Sequence, residues 1–372
     1  MSGIKIITMP KWGIAMEEGI VARWAVSEGD TIVQGQEVMD IETSKIANIY
    51  ESPVGGILRR RLAGEGDVLP VGALLAVIAD NDISEAEIDA FIADFNAKSD
   101  AVSHKSSSGP LPDTIEIGGK RVTYLRVGPQ AGDPVVFVHG FGSDHKAWLL
   151  NQAAIAETHP TYAVDLPGHG ASYKDAPDFS ARALAGVLGQ FLDELHLTDV
   201  HLVGHSLGAA VSVLAAAAYP QAVKSLTLIA PAGLGGDIAG PFLDGFVSES
   251  RARKLRPFIE MLVADPRLVT NEMIEDVLKF KRLDGAQEAL EAVRAANFPG
   301  SAQTVSVHEV LAALTIPVQV ILGANDNIIV GGGQPRLTNA AYVEIGGAGH
   351  IPHLEKAADV NECIKSFVDK ES

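Results

Sequence analysis

Hydrophobic and polar positions alternate in short runs over the first eighty residues, and a repeated set of glycine turns interrupts these runs. Gly19-Ile20 recurs 37 residues later as Gly56-Ile57, and Glu28-Gly29-Asp30 recurs at the same offset as Glu65-Gly66-Asp67. Short alternating runs broken by Gly and Gly-Asp turns predict β-strands joined by tight connections. Because a repeat constrains the whole fold, residues 1–80 are expected to form two similar half-sheets, packed face to face as a small antiparallel sandwich.

A polar segment containing one lysine separates the two copies of the repeat. Lys45 follows Glu42-Thr43-Ser44 and precedes Ile46. This setting predicts a hairpin between the half-sheets, with the lysine pointing outward. An ordinary solvated turn lysine is the alternative, because most lysines in globular proteins are exposed.

The pattern changes in residues 81–112, which connect the sandwich to the rest of the chain. Ser84-Glu85-Ala86-Glu87 has the sequence of a helix capping box. Apolar residues then recur at i, i+3, i+4 and i+7, namely Ile88, Phe91, Ile92 and Phe95. We expect a short amphipathic helix that docks either on a neighbouring domain of its own chain or on another protein. Residues 98–112 predict a flexible linker with a root-mean-square span of roughly 20 Å and an extended reach of about 50 Å.

Short apolar runs alternate with helical patterns from residue 113 to residue 372. This alternation predicts a mostly parallel sheet covered by helices. An opening hairpin is expected around Gly118-Gly119. Residues from about 233 to 310 interrupt the alternation and look helical, as in Phe258–Leu262 and Met273–Phe280. We expect this segment to form a cap over the active site of the domain, whose candidate residues follow below. The predicted strands are Ile115–Ile117, Val122–Val127, Val135–Val138, Tyr162–Val164, Val200–Val203, Leu226–Ile229, Val318–Leu322 and Tyr342–Ile345.

One of these strands runs directly into Gly204-His205-Ser206-Leu207-Gly208, which an alanine-rich helical segment follows. Strand, tight turn and helix are the context in which Gly-x-Ser-x-Gly indicates a nucleophilic serine. The glycines permit close passage of the strand and the helix, and the helix start offers unpaired N–H groups. Ser206 is therefore the predicted nucleophile, with a purely structural serine as the alternative.

A serine hydroxyl needs a base to take its proton. In this fold the expected chain order is Ser, then Asp or Glu, then His. Asp326 follows the strand Val318–Leu322, and His350 follows Tyr342–Ile345, so both are expected at the site. We assign His350 as the base and Asp326 as the residue that orients it. His353 is the competing base, and His205 is expected to pack behind the nucleophile.

Composition and charge narrow the classes of function. The chain has 372 residues and a formal net charge of -18, which argues against nucleic acid and anionic membrane surfaces as partners. The run Arg59-Arg60-Arg61 is interpreted as a solvated face. A single cysteine, Cys363, excludes an internal disulfide and fits a reducing compartment. Without a signal-like or membrane-spanning apolar stretch, a cytoplasmic protein is expected. No metal site is predicted, and an oligomer is compatible with the sequence.

Residues 3–79 resemble the lipoyl domains of 2-oxo acid and acetoin dehydrogenase complexes. The resemblance implies that Lys45 carries lipoic acid in amide linkage. Biotin carriers share the fold but place Met on both sides of the lysine, where this chain has Ser44 and Ile46, and this favours lipoate. The resemblance rests on Glu18-Gly19-Ile20, Trp24, Glu28-Gly29-Asp30, Gly35, the Ile-Glu-Thr-Ser-Lys segment, Ser52-Pro53-Val54-Gly55-Gly56 and Val71-Gly72.

Residues 113–370 resemble the α/β-hydrolase fold. His139-Gly140-Phe141-Gly142-Ser143 is similar to its oxyanion-hole segment, which implies that the N–H groups of Phe141 and Leu207 stabilise a tetrahedral intermediate. One such donor typically contributes about 2.7–4 kcal/mol. Asp165-Leu166-Pro167-Gly168-His169-Gly170 is another segment familiar from this fold, interpreted as a structural turn.

A lipoyl domain followed by an α/β hydrolase resembles the acyltransferase component of acetoin dehydrogenase complexes. The resemblance implies acetyl transfer from lipoyl-Lys45 to coenzyme A through Ser206. It also implies a thiamine-dependent acetoin dehydrogenase component and dihydrolipoamide dehydrogenase as partners. The sequence lacks the His-x-x-x-Asp-Gly signature of the usual trimeric catalytic domain and the Gly-rich pattern of the usual subunit-binding domain. Two alternatives stay open, namely a hydrolase or thioesterase that releases the acyl group to water, and a carrier with an inactive hydrolase domain.

Overall fold

The structure is a computed structural model that describes residues 4–10, 18–42, 47–80, 82–93, 95, 110–300, 302–333 and 336–371. The chain divides into two compact units, residues 1–109 and residues 110–372. Lys45 and all but the last three residues of the predicted linker lie outside the described residues. Within the described ranges, no helix combines the length and the apolar character that crossing a membrane requires.

The first unit is a sandwich of two four-stranded antiparallel sheets, as its alternating pattern predicts. One sheet has the order β1-β8-β6-β3 and the other the order β5-β4-β2-β7. Their facing sides enclose a core that includes Ile7, Val21, Trp24, Ile41 and Leu58. The strands are β1 (Lys5–Thr8), β2 (Glu18–Trp24), β3 (Thr31–Ile32), β4 (Glu37–Glu42), β5 (Ala47–Glu51), β6 (Gly56–Arg61), β7 (Val68–Pro70) and β8 (Leu74–Ala79).

The two copies of the repeat adopt the same turns but exchange their short strands. Gly29 and Gly66 share a φ of 91°. In each copy the aspartate that follows this glycine, Asp30 or Asp67, closes the turn by accepting from the backbone N–H three residues before it. The short strand β3 of the first copy pairs with β6 of the second, and β7 of the second pairs with β2 of the first. Each sheet therefore contains strands from both copies, which ties the expected half-sheets together more closely than face-to-face packing alone.

A helix, α1 (residues 85–93), packs on the sandwich through its apolar stripe. The predicted capping box forms, since Glu87 N–H lies 3.3 Å from Ser84 Oγ and Glu87 Oε2 accepts from Ser84 N–H at 2.9 Å. Ile88 is buried against Leu74 and Val77 of β8, with Ile92 and Phe95 beside it. The helix therefore docks on its own chain, the first of the two alternatives.

The arginine run of β6 holds this helix, so its interpretation as a solvated face is wrong. Arg59 and Arg60 both pair with Glu85 at 2.5 Å, and Arg60 also pairs with Asp89 at 3.0 Å. Arg59 further donates to the carbonyl oxygens of residues 80 and 83. Arg61 lies over the ring of Trp24 instead. The positive charges of Arg59 and Arg60 are thus neutralised by carboxylates 25 to 29 positions away in the sequence.

The second unit is built on an eight-stranded sheet with the order β18-β16-β14-β13-β11-β12-β10-β9. Its first two strands form the predicted hairpin, with Gly118 and Gly119 at positive φ in the turn, and the strands from β11 onward pair in parallel. The sheet strands are β9 (Asp113–Ile117), β10 (Lys120–Val127), β11 (Val135–Val138), β12 (Thr161–Val164), β13 (Val200–His205), β14 (Val223–Ile229), β16 (Val318–Gly323) and β18 (Ala340–Ile345).

Helices cover both faces of this sheet. Alternate residues of one strand belong to different cores, with Val136 and Val138 facing one side and Val135 and Phe137 the other. α3 (Ala181–Glu194) and α4 (Leu207–Ala218) cover the first face. α2 (Leu149–Ile155) and α11 (Ala357–Glu371) cover the second. Burial on both faces explains why the strands are continuous apolar runs in the sequence.

A mostly helical insertion, residues 235–313, separates β14 from β16. It contains β15 (Gly235–Ile238), α5 (Gly240–Ser248), α6 (Ala252–Glu260), α7 (Asn271–Lys281), α8 (Ala286–Asn297) and α9 (His308–Ala313). The predicted helix at Phe258–Leu262 ends at Glu260, two residues earlier than expected, and α7 contains the predicted Met273–Phe280. β15 pairs with β17 (Ile329–Gly333) in a two-stranded sheet that the glycine-rich sequence did not indicate.

Candidate active site

The turn between β13 and α4 places Ser206 in a strained conformation. Its φ of 52° and ψ of −115° are unusual for a residue with a side chain. Two flanking glycines are sterically required. A Cβ added to Gly204 would lie 2.6 Å from the carbonyl oxygen of Gly208, and one added to Gly208 would lie 2.3 Å from the carbonyl oxygen of His139. The chain therefore makes the sharp strand-to-helix turn in which a nucleophilic serine stands above a sheet.

Ser206, His350 and Asp326 form one hydrogen-bonded chain at the carboxyl ends of β13, β18 and β16. Ser206 Oγ lies 3.0 Å from His350 Nε2, and His350 Nδ1 lies 2.8 Å from Asp326 Oδ2. The carboxylate fixes the tautomer with a proton on Nδ1, which leaves Nε2 free to accept the serine proton. All three side chains are largely buried. The structure thus brings together the three residues that the sequence separates by up to 144 positions.

Asp326 is held in its ionised form. Burial opposes ionisation, but the charge of His350, its hydrogen bond and two backbone donors outweigh burial, and the pKa of Asp326 is lowered. The donors are the N–H groups of Ile328 and Ile329, at 2.7 and 3.1 Å from Oδ1. An ionised carboxylate in this position stabilises the imidazolium that forms when His350 takes a proton.

The loop that carries His350 is anchored from three directions. His350 N–H donates to the carbonyl oxygen of Leu262, which belongs to the insertion, at 2.8 Å. The Glu355 carboxylate bridges two backbone N–H groups, of Gly349 and Ala264, each at 2.7 Å. His205 Nε2 donates to the carbonyl oxygen of His350 at 2.9 Å. The base is therefore positioned by the insertion, by Glu355 and by the nucleophile turn together.

His205 and His353 are buried and neutral. Burial, followed by the nearby His353 and His350, lowers the pKa of His205 well below its ordinary value. Burial lowers the pKa of His353 to about 3. The ring of His353 packs on Trp148 and on His205, with centroids 4.6 Å apart in each case. Of the two histidines considered for the base, His350 makes the contact with Ser206 Oγ.

The segment after β11 lies against the nucleophile. A Cβ on Gly140 is 3.2 Å from the Cβ of Ser206, so Phe141 follows directly beside the serine. Leu207 is the first residue of α4, and its N–H has no partner within the helix. Neither of these two N–H groups donates to an acceptor among the described residues. The assignment of these two N–H groups to an oxyanion hole stays a prediction.

The Asp165–Gly170 segment is a turn tied to its surroundings. Asp165 is fully buried and accepts from the N–H and Nδ1 of His145 and from the N–H of Ala171. A Cβ on Gly170 falls 2.1 Å from its carboxylate, so the turn closes only around glycine. The segment makes no hydrogen bond with Ser206, His350 or Asp326 among the described residues. Its backbone supports the loop after β11, because the N–H of Leu166 donates to Nε2 of His139.

An apolar cavity of about 150 Å³ opens at Ser206 and His350. Helices α5, α6 and α7 of the insertion form much of its wall, and the sequence did not indicate that their side chains face Ser206. In the sequence, the cavity wall was indicated only by aromatic residues within an otherwise ordinary helical pattern. The main wall residues are Phe141, Ile238, Phe242, Leu243, Phe246, Ile259, Met273, Val277 and Phe298.

The lysine predicted to carry a cofactor belongs to residues 43–46, outside the described part of the chain. The strands on either side, β4 and β5, pair antiparallel with Glu42 opposite Ala47. Lys45 as the lysine that carries a cofactor therefore stays a prediction. In the part of the chain that is described, no group of His, Cys, Asp and Glu side chains has the arrangement of a metal site.

Two families match the chain. The α/β-hydrolase fold matches residues 133–357, and the family described as biotin-requiring enzymes, which covers biotin and lipoyl domains, matches residues 5–78. The chain is 42% identical to the dihydrolipoyllysine-residue acetyltransferase component of the acetoin cleaving system of Pseudomonas putida, over 100% of both chains. It is 39% identical to the component of the same name from Cupriavidus necator, over 97% of this chain and 96% of that one.

Two hydrolases illustrate the likeness of the chain to solved structures. A meta-cleavage product hydrolase from Pseudomonas fluorescens is 21% identical, with a TM-score of 0.64 over 70% of this chain and 98% of that one. An epoxide hydrolase is 22% identical, with a TM-score of 0.60 over 70% of this chain and 99% of that one. At this identity the likeness establishes the α/β-hydrolase fold.

Proposed function

The chain belongs to the dihydrolipoyllysine-residue acetyltransferase components of acetoin-cleaving systems, and from this premise we propose that Ser206 carries the acetyl group between lipoyl-Lys45 and coenzyme A. The protein is an acyltransferase of acetoin catabolism that joins a lipoyl domain to an α/β-hydrolase domain. The observation that supports a serine route is the chain of hydrogen bonds from Asp326 through His350 to Ser206.

In the first half-reaction His350 Nε2 takes the proton of Ser206 Oγ, and the oxygen attacks the carbonyl carbon of the acetyl thioester. The lipoyl group supplies the thiol that holds the acetyl group as that thioester. The N–H groups of Phe141 and Leu207 receive the oxyanion, and removing one such donor typically costs about 3 kcal/mol of barrier. The carbon–sulfur bond then breaks, and His350 returns its proton to the leaving sulfur, so that acetyl-Ser206 remains.

In the second half-reaction His350 takes the proton of the coenzyme A thiol. The thiolate attacks the carbonyl carbon of acetyl-Ser206, and the carbon–oxygen bond breaks as His350 returns the proton to Ser206 Oγ. Because water competes as acceptor, the active site must limit its access. The apolar wall that α5, α6 and α7 contribute is suited to this task. We therefore propose that the insertion acts as the cap.

The protein is one component of a multi-component system. We propose a thiamine-dependent acetoin dehydrogenase component as the source of the acetyl group on lipoyl-Lys45. Dihydrolipoamide dehydrogenase is the proposed partner that reoxidises the dithiol after transfer. A cytoplasmic location is part of the proposal and agrees with a chain whose single cysteine, Cys363, has no disulfide partner within it.

The decisive experiment compares wild-type protein with Ser206→Ala, using acetyl-dihydrolipoamide as donor and intact-protein mass spectrometry as readout. Wild type is expected to gain one acetyl group and to lose it on addition of coenzyme A, with acetyl-coenzyme A appearing. Ser206→Ala is expected to do neither. Ser212→Ala is the matched control, because that buried serine of α4 donates, within the described part of the chain, to the carbonyl of Gly208 alone.

Each alternative gives a different result. Undiminished transfer by Ser206→Ala contradicts the serine route. Acetyl-serine that breaks down at the same rate with and without coenzyme A identifies a hydrolase or thioesterase. A fluorophosphonate probe that leaves wild-type Ser206 unlabelled identifies a carrier with an inactive hydrolase domain. Lys45→Arg separates the carrier from the site, since it is expected to abolish lipoylation and leave reaction with free acetyl-dihydrolipoamide intact.

A further inference from the structure

The cavity beside Ser206 is larger and less polar than an acetyl group requires. Its volume is about 150 Å³, the size of an apolar cavity that binds six-carbon benzene. An acetyl group places a single methyl beyond its carbonyl carbon. Since unfilled apolar space forfeits dispersion contacts, the shape of this cavity indicates a longer occupant.

The walls of the cavity determine the chemistry of that occupant. The innermost side chains are aliphatic or aromatic and at most 5% exposed, namely Ile238, Phe242, Leu243, Phe246, Ile259 and Phe298. The polar side chains of the lining are Ser143 and the serine and histidines of the site, and no charged side chain lines the cavity among the described residues. Buried amides or phosphates need polar partners, so the diphosphate and the amide segments of coenzyme A do not match these walls.

We propose that the cavity binds an uncharged alkyl chain of about four to six carbons that is attached to the reacting thioester. Two parts of a substrate supply such a chain. One is an acyl group longer than acetyl, and the other is the methylene arm of the lipoyl group that delivers the acetyl group. The inference rests on the proposed function, because it takes Ser206 as the residue that is acylated.

The test measures the second-order rate constant for acylation of Ser206 in the full-length protein, by rapid quench and intact-protein mass spectrometry, before any acceptor is added. One series keeps the carrier N-acetylcysteamine and lengthens the acyl group from two to eight carbons. The other keeps the acetyl group and lengthens an alkanethiol carrier over the same range. In at least one series the rate constant is expected to rise roughly fourfold per methylene up to about six carbons. The responding series identifies the source of the chain.

Variants of the cavity wall connect the gain to this cavity. Leu243→Thr, deep in the wall, is expected to flatten the responding series, and Leu283→Thr, an exposed leucine in the same insertion, is expected to leave it unchanged. Val277→Thr keeps the test decisive if Leu243→Thr does not fold, because Val277 lines the cavity and is only partly buried.

The outcomes separate this inference from the proposed function. Acyl-Ser206 that forms at the same rate along both series overturns the inference and leaves the serine route intact. A chain-length gain that both wall variants, Leu243→Thr and Val277→Thr, retain also overturns the inference, because the alkyl chain then binds elsewhere. Failure of every thioester to acylate Ser206 overturns the serine route and this inference together.

Discussion

The side chain of His205 holds the main chain of His350, because its Nε2 donates to the carbonyl oxygen of His350 at 2.9 Å. The residue next to the nucleophile is thereby linked to the backbone of the base, 145 positions away in the sequence. The other nitrogen, Nδ1, faces Gly140, where a Cβ would come within 2.7 Å of it. His205 thus touches the base loop and the loop after β11 at once.

Removing this hydrogen bond is expected to misplace the imidazole of His350 while leaving its hydrogen bonds to Ser206 and Asp326 chemically possible. His205→Ala leaves the His350 carbonyl without its donor, and we expect kcat/KM for acylation to fall roughly tenfold or more. His205→Gln retains an N–H donor and is expected to recover part of the loss. If the role of His205 is purely structural, the two variants lose the same amount of unfolding free energy, and they also lose the same fraction of activity. Denaturant titration beside the pH profile of Ser206 labelling tests for that outcome.

Asp326→Asn is expected to reduce acylation by roughly 10³–10⁴-fold while the fold is kept. The amide oxygen still accepts from Ile328 and Ile329, but its NH₂ group then faces His350 Nδ1. The imidazole is driven to the tautomer with its proton on Nε2, which cannot accept the proton of Ser206. Fluorophosphonate labelling rates measure the effect. Asp237→Asn, an exposed aspartate on β15, is the control, and an equal loss there contradicts the assignment.

The second unit is expected to lose stability as pH falls below about 6.5. Burial lowers the pKa of His169 and of His353 to about 3 and that of His201 to about 4. The folded state keeps them neutral, whereas the unfolded chain binds protons at about pH 6.5. Each such histidine costs about 1 kcal/mol of unfolding free energy between pH 7.5 and 5.5. His145 acts in the opposite direction: burial opposes its protonation, but its bond to Asp165 raises its pKa overall.

Calorimetry of the full chain across this pH range measures the effect, and the first unit is an internal control. Residues 1–95 contain no histidine. Their unfolding transition is expected to move little between pH 7.5 and 5.5, while that of the second unit moves down. Equal shifts of both transitions contradict the explanation by buried histidines.

Ile88→Ala is expected to release α1 from the sandwich. Ile88 is fully buried against Leu74 and Val77. Truncating a buried isoleucine costs about 2–5 kcal/mol, which is large for a single docked helix. Hydrogen exchange of the peptide covering residues 82–93 is expected to accelerate, with that of β8 changing less. Ala90→Ser, at an exposed position of the same helix, is expected to leave both unchanged.

The parallel strands could be predicted from sequence because both of their faces are buried. Val135–Val138 is a strand over the range predicted, and its residues alternate between the two cores. Their boundaries were harder to predict. β13 was predicted to end at Val203, but it continues through Gly204 to His205. The apolar pattern stops at Val203, so it does not mark the true end of the strand. The chain order of Ser206, Asp326 and His350 sufficed to assemble the site because each follows a strand end.

Contacts between residues remote in sequence could not be predicted. Nothing near Arg59 in the chain indicates that Glu85 neutralises it. The pairing of β15 with β17 involves glycine-rich segments without an alternating pattern. The orientation of Phe242 and Phe246 toward Ser206 depends on how the insertion packs. Local pattern therefore indicated the three residues that the structure joins by hydrogen bonds, and it left their surroundings undetermined.

The docked helix α1 determines which residues must be included when the lipoyl domain is transplanted onto another protein. Because Ile88 completes a core on β8 and the pairs of Glu85 and Asp89 neutralise Arg59 and Arg60, the smallest transplantable carrier includes the helix as well as the eight strands. A chimera joined directly after Ala79 exposes Leu74 and Val77 and leaves two arginines unpaired. Joined after residue 95, the same carrier keeps the helix and these contacts.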